Sequence, residues 1–151
     1  MLSNVNDIDE EKLKTISNNQ YAIVKTEDLN NIKDENRIIF AIGDLHNKIN
    51  NPDLKIIILG NVFVETEDFT STEGIQSISG SLYIQSKGGL ETPNLESVYG
   101  NIYIDDSLFT QIYVKEIYGE INIKNSIKTY ILADNAYGKI KCNKSVDTQL
   151  D

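Results

Sequence analysis

The chain has 151 residues, 40% of them hydrophobic and 25% charged, which fits one compact domain with its own core and speaks against wholesale disorder. Its formal net charge of −9 leaves no basic face for a phosphate backbone, so direct nucleic-acid binding is not expected. A single cysteine, Cys142, and a single histidine, His46, exclude an internal disulfide, a multi-cysteine zinc site and a two-histidine metal motif, so no metal or cofactor is expected.

In chain order, the N-terminus is acidic (Asp7, Asp9, Glu10, Glu11) and has no apolar leader core, which predicts a cytoplasmic protein. Asp7-Ile8-Asp9-Glu10 fits a helix start, with Ile8, Leu13 and Ile16 on one helical face, and a second helical pattern covers residues 27–32. Residues 37–42 and 55–59 then read as strands that are apolar on both faces and need cover on both sides. The apolar run Ile38–Ile42 is far short of the roughly 18 residues of a membrane span, so no membrane contact is expected. Residues 1–36 are therefore read as a small α-helical cap, 37–143 as a solenoid and 144–151 as a tail, all within one domain.

The solenoid rests on a repeat. Gly60, Gly80, Gly100, Gly119 and Gly138 stand 20, 20, 19 and 19 residues apart, each inside the pattern apolar-x-Gly-x-apolar-x-apolar. Period-two alternation marks a strand with one buried face. Counted from the glycine, positions −2, 0, +2 and +4 point inward. The +2 column is Val62, Leu82, Ile102, Ile121 and Ile140; the +4 column is Val64, Ile84, Ile104, Ile123 and Cys142. Stacked about 4.8 Å apart, such columns build a core. The glycine marks a place where a close backbone approach excludes a side chain. Between glycines run return legs with turn residues around spaced apolar positions, such as Leu90 and Leu95. The expected fold is mainly β: a right-handed parallel β-solenoid of about five 19–20-residue coils. Lys139, Lys141 and Lys144 would blunt its last edge.

With Pro93-Asn94-Leu95-Glu96-Ser97-Val98-Tyr99-Gly100-Asn101-Ile102-Tyr103-Ile104 as its clearest stretch, the chain resembles the leucine-rich-repeat superfamily, in particular receptor L-domain-type parallel solenoids. The similarity covers residues 54–143. It lacks the family's asparagine ladder and flanking cysteine caps. The resemblance implies a solenoid fold and a habit of binding proteins or ligands, and it carries no catalytic residues across.

The outward columns bear the candidate site. Position +3 reads Phe63, Tyr83, Tyr103, Asn122, Lys141, and position −1 reads Leu59, Ser79, Tyr99, Tyr118, Tyr137. These predict two aromatic ladders on one exposed face, a role either structural or adhesive, since cross-strand rings stabilise sheets and tyrosine is enriched at interfaces. Residues 60–112 carry eight acids, among them Glu65, Asp105 and Asp106, against Lys87 alone. That acidic field suits either solubility or a basic partner. Asp105-Asp106 lacks EF-hand spacing, Cys142 reads as a small buried hydrophobe, and His46 falls in a loop.

Three function classes follow. The first is a non-enzymatic intracellular protein-binding module, such as an inhibitor of immunity or anti-defence type acting on a basic or nucleic-acid-handling protein. Its contact residues would be Phe63, Tyr83, Tyr99, Tyr103 and Tyr118, with Glu65, Asp105 and Asp106 at the rim; a monomer is the simplest state. The second is a cell-surface leucine-rich-repeat-like recognition scaffold. The third is a carbohydrate-active β-helix enzyme with clustered carboxylates.

Overall fold

A computed structural model of the chain describes residues 20–46, 48–145 and 148–150, with Asn94 described by its backbone alone. The helix expected over residues 7–16 lies outside the described residues.

The chain is a parallel β-solenoid of about seven turns. One sheet, here called A, runs in the order β1 (Tyr21–Lys25), β2 (Ile38–Ile42), β3 (Lys55–Leu59), β6 (Ile75–Ile78), β8 (Leu90–Val98), β10 (Leu108–Ile117), β12 (Ile127–Ala136) and β14 (Gln149–Leu150), with β5 (Thr70–Ser71) also beside β8. Sheet B contains β4 (Val62–Thr66), β7 (Leu82–Ser86), β9 (Ile102–Asp105), β11 (Ile121–Lys124) and β13 (Ile140–Asn143). Each repeat therefore supplies two strands, whereas the sequence suggested one strand and an irregular return. The return legs have the apolar alternation of strands once they have a parallel neighbour on each side, as in β10 between β8 and β12.

Two further turns precede the five expected. Tyr21–Lys25 pairs in parallel with β2 and so extends the sheet into the segment read as a cap. Among the described residues of that segment, the helical turn is a 3₁₀ helix at Thr26–Asn31, close to the predicted 27–32. The second extra turn is Gly43-Asp44-Leu45-His46, where Leu45 bridges Val62 and is buried. Ala41-x-Gly43-x-Leu45 is the repeat pattern itself, 17 residues before Gly60, and the shorter spacing concealed it.

The glycine column lies at the corner where the chain leaves sheet A for sheet B. Successive corners stack backbone on backbone: the Gly100 N–H donates to the Gly80 carbonyl at 2.8 Å, and Gly119 to Gly100 at 3.1 Å. A Cβ on Gly119 would lie 2.2 Å from the Gly100 carbonyl oxygen, and one on Gly138 2.1 Å from that of Gly119. The Gly100 carbonyl cannot readily withdraw, because it accepts the Gly119 N–H in the stack.

Register follows the alternation. Val62 pairs with Leu82, Leu82 with Ile102, Ile102 with Ile121 and Ile121 with Ile140. The first four are 0–2% exposed, but Ile140 is 44% exposed and Cys142 is exposed, contrary to expectation. Both are on β13, which has no further sheet B neighbour among the described residues, so inward-pointing side chains there have nothing to pack under. Lys139, Lys141 and Lys144 are exposed at this edge, as the sequence suggests.

Two substitutions separate these effects. Ile102→Ala should cost about 2–5 kcal/mol in urea unfolding, as for other buried aliphatic truncations. Ile140→Ala, in the same column, should cost under about 1 kcal/mol because little of its surface leaves water. Gly119→Ala should cost about 1–3 kcal/mol or more through overpacking, despite alanine's better intrinsic stability elsewhere.

Candidate protein-binding face

The structure places Phe63, Tyr83 and Tyr103 on the outer face of sheet B, as the period-two reading requires. Their rings stack nearly parallel: Phe63 to Tyr83 at 4.7 Å and 5°, and Tyr83 to Tyr103 at 4.8 Å and 12°. The strand spacing of a parallel sheet, about 4.8 Å, imposes this separation. His46 caps the stack, 4.6 Å from Phe63 at 4°. The sequence reads His46 as a loop residue; its +3 offset from Gly43 is the signal that assigns it to the ladder.

Tyr99, Tyr118 and Tyr137 form the second ladder, with centroids 4.9 and 5.2 Å apart. It does not share a strand with the first. β8, β10 and β12 end at Val98, Ile117 and Ala136, so the −1 residues stand on the turn, just before the glycines. The corner separates two ladders that the sequence placed side by side on one face.

Polar side chains fix that corner. The Asn61 N–H donates to Asp44 Oδ1 (2.8 Å), Ser81 N–H to Asn61 Oδ1 (2.8 Å), Asn101 N–H to Ser81 Oγ (2.9 Å) and Glu120 N–H to Asn101 Oδ1 (2.7 Å). A side-chain ladder at +1 thus satisfies backbone donors that the turn removes from the sheets. The column mixes Asp, Asn and Ser, so it is not legible in the sequence as a ladder of one residue type. Asn101 also donates to the Tyr103 hydroxyl at 2.8 Å, which locks that ring.

Glu65 and Asp105 stand beside the first ladder and line, with Phe63, Tyr83, Gln85 and Tyr103, a shallow groove of about 320 Å³. Asn125 donates to Asp105 at 3.5 Å, and Glu65 is exposed. Asp106 lies outside this groove, exposed at the next corner in the left-handed region (φ 48°). In this groove the structure brings together five of the eight predicted contact residues. Tyr99 and Tyr118 lie in the other ladder.

Because the rings stack face to face, the interior members Phe63 and Tyr83 present ring edges to solvent, Tyr83 its hydroxyl as well, while their π-faces are closed. A ligand cannot stack on Tyr83, and a cation can reach a ring face only at the ends. What the face offers is hydroxyl donors and acceptors, ring edges and two carboxylates.

In the second ladder Tyr118 donates its hydroxyl proton to Glu116, and this bond to a carboxylate pushes its pKa up to about 12, with burial and the Glu116 charge adding to it. No family model, curated protein or solved structure matches the chain.

The raised pKa means that the Tyr118–Glu116 bond contributes to stability below pH ~10, the ordinary tyrosine value, and is lost as pH rises through about 12. Titration by tyrosinate absorbance should show a late-ionising component from Tyr118. Glu116→Gln should return it towards ~10, and Tyr118→Phe should remove it. An unchanged late titration in Glu116→Gln would assign the shift elsewhere.

Proposed function

We propose that this chain is a non-enzymatic protein-binding module of leucine-rich-repeat-like type, whose sheet B face engages a basic protein. The observation that carries this reading is the groove in which Phe63, Tyr83 and Tyr103 lie against Glu65 and Asp105. Tyrosine supplies contact area with few rotamers to lose, and its hydroxyls find partners across an interface. The two carboxylates, within a net charge of −9, steer a basic partner and favour fast encounter. The solenoid holds these side chains in place before binding, which lowers the ordering cost of association.

The role most consistent with this chemistry is inhibition. An acidic face that seats on a phosphate-handling surface of a nucleic-acid-binding protein competes directly with its substrate. Action inside the cell fits a chain with one thiol and no disulfide.

Affinity capture with the immobilised chain, followed by mass spectrometry, identifies the partner. Tyr83→Ala with Tyr103→Ala should then weaken binding by more than about 2 kcal/mol while the far-ultraviolet spectrum and melting cooperativity persist. Asp105→Lys with Asp106→Lys should mainly slow association, an effect that shrinks as salt rises. Undiminished affinity in the double tyrosine variant would move the site off sheet B.

A further inference from the structure

Sheet B is regular in every pair, whereas sheet A departs from register at two neighbouring places. Ile56 opposes Ile75 but Ile57 opposes Ser77, which leaves Gln76 as an extra residue in β6. Ile112 opposes Thr92 and Val114 opposes Leu95, so Pro93 and Asn94 together face Tyr113. At that bulge the Tyr113 N–H donates to the Thr92 side chain at 3.0 Å. Among the described residues, the ladder of β8 with β5 and β6 pairs Leu90 and Glu91, then Ser97 and Val98, with none between. In a repeat protein, bulges of this kind re-aim side chains and are placed features, not defects.

Here they open the outer face of sheet A into a groove of about 630 Å³ that crosses β3, β6, β8, β10 and β12. Five strands at about 4.8 Å make it roughly 19 Å long, parallel to the solenoid axis. Over β8, β10 and β12 its lining includes two parallel rows. Glu96, Lys115 and Asp134 form a charged row, with Lys115 3.9 Å from Glu96 and in register with the β12 acid. Pro93, Tyr113 and Leu132 form an apolar row beside it, Leu132 being 40% exposed. The Tyr113 ring meets Tyr130 at 58° and 6.0 Å, so it is not part of a face-to-face stack like those at the ladders.

We infer that this groove is a binding site for a neutral linear oligosaccharide, distinct from the sheet B face. Lys55 and Lys115 stand among Asp53, Glu96 and Asp134, a lining of one net negative charge that repels an anionic chain and offers a neutral one both donors and acceptors. Carboxylate, ammonium and amide groups bond hydroxyls in many orientations, and the apolar row accepts the C–H faces of sugar rings. An extended peptide fits less well: lying across the strands, it could form no ladder, and its own backbone groups would lose water without regular partners.

The test is a titration of the ¹⁵N-labelled chain with a panel of neutral tetra- to hexasaccharides (cello-, xylo-, manno-, malto- and chito-oligomers), read by amide shifts. Binding by at least one, with shifts centred on Tyr113, Lys115 and Leu132, is expected. Tyr113→Ala should weaken it by about tenfold or more. Asp134→Ala, at an exposed position that cannot unfold the chain, should also weaken it. Tyr83→Ala with Tyr103→Ala should leave it unchanged, which keeps this site separable from the protein-binding face. Absence of shifts with every saccharide, shifts centred on sheet B, or a displayed peptide library that selects groove binders where saccharides fail would each overturn the assignment.

Discussion

The molecule depends on one close approach: the stacking of peptide groups at the glycine corner. Gly43, Gly60, Gly80, Gly100, Gly119 and Gly138 lie one above another, with a Cβ on any of the last five set to collide with the carbonyl group of the glycine before it. This contact fixes where the chain turns from one sheet to the other, and therefore which residues end a sheet A strand and which begin a sheet B strand. The positions of both aromatic ladders follow from it.

A solenoid with corners this tight must satisfy the backbone groups that leave the sheets, and it does so with short polar side chains. Asp44, Asn61, Ser81 and Asn101 accept at the glycine corner. At the opposite corner Ser107, Ser126 and Ser145 accept the N–H of Ser86, Ser107 and Ser126 in turn. The residues before those three serines, Asp106, Asn125 and Lys144, all adopt left-handed φ of 48–52°, so the same turn recurs on each coil. The polar groups at both corners therefore come in columns, each side-chain oxygen accepting an N–H from an adjacent coil.

The same stacking that orders the aromatic residues limits what they can do. Rings held a strand spacing apart consume each other's faces, so the sheet B ladder is stiff, exposes hydroxyls and edges, and has its charge supplied by Glu65 and Asp105. Tyr113, beside a bulge, escapes that constraint. The two outer faces thus differ in kind: one is a regular ladder, the other an interrupted sheet with a groove along the solenoid axis.

The sequence by itself determined the repeat, its parallel register, the buried +2 and +4 columns and the outward aromatic columns, because strand alternation and the glycine are properties of each repeat taken alone. Only the tertiary structure decided that the return legs are strands, that Gly43-Asp44-Leu45-His46 is a coil despite its 17-residue spacing, and that Ile140 and Cys142 stay exposed. It also decided that Tyr99 and Tyr118 stand across a corner from Tyr83 and Tyr103, and that Gln76 and Pro93 break sheet A. Each of these depends on what lies on the neighbouring coil. The local period says which way a side chain points, and only the stack says whether anything is there to meet it.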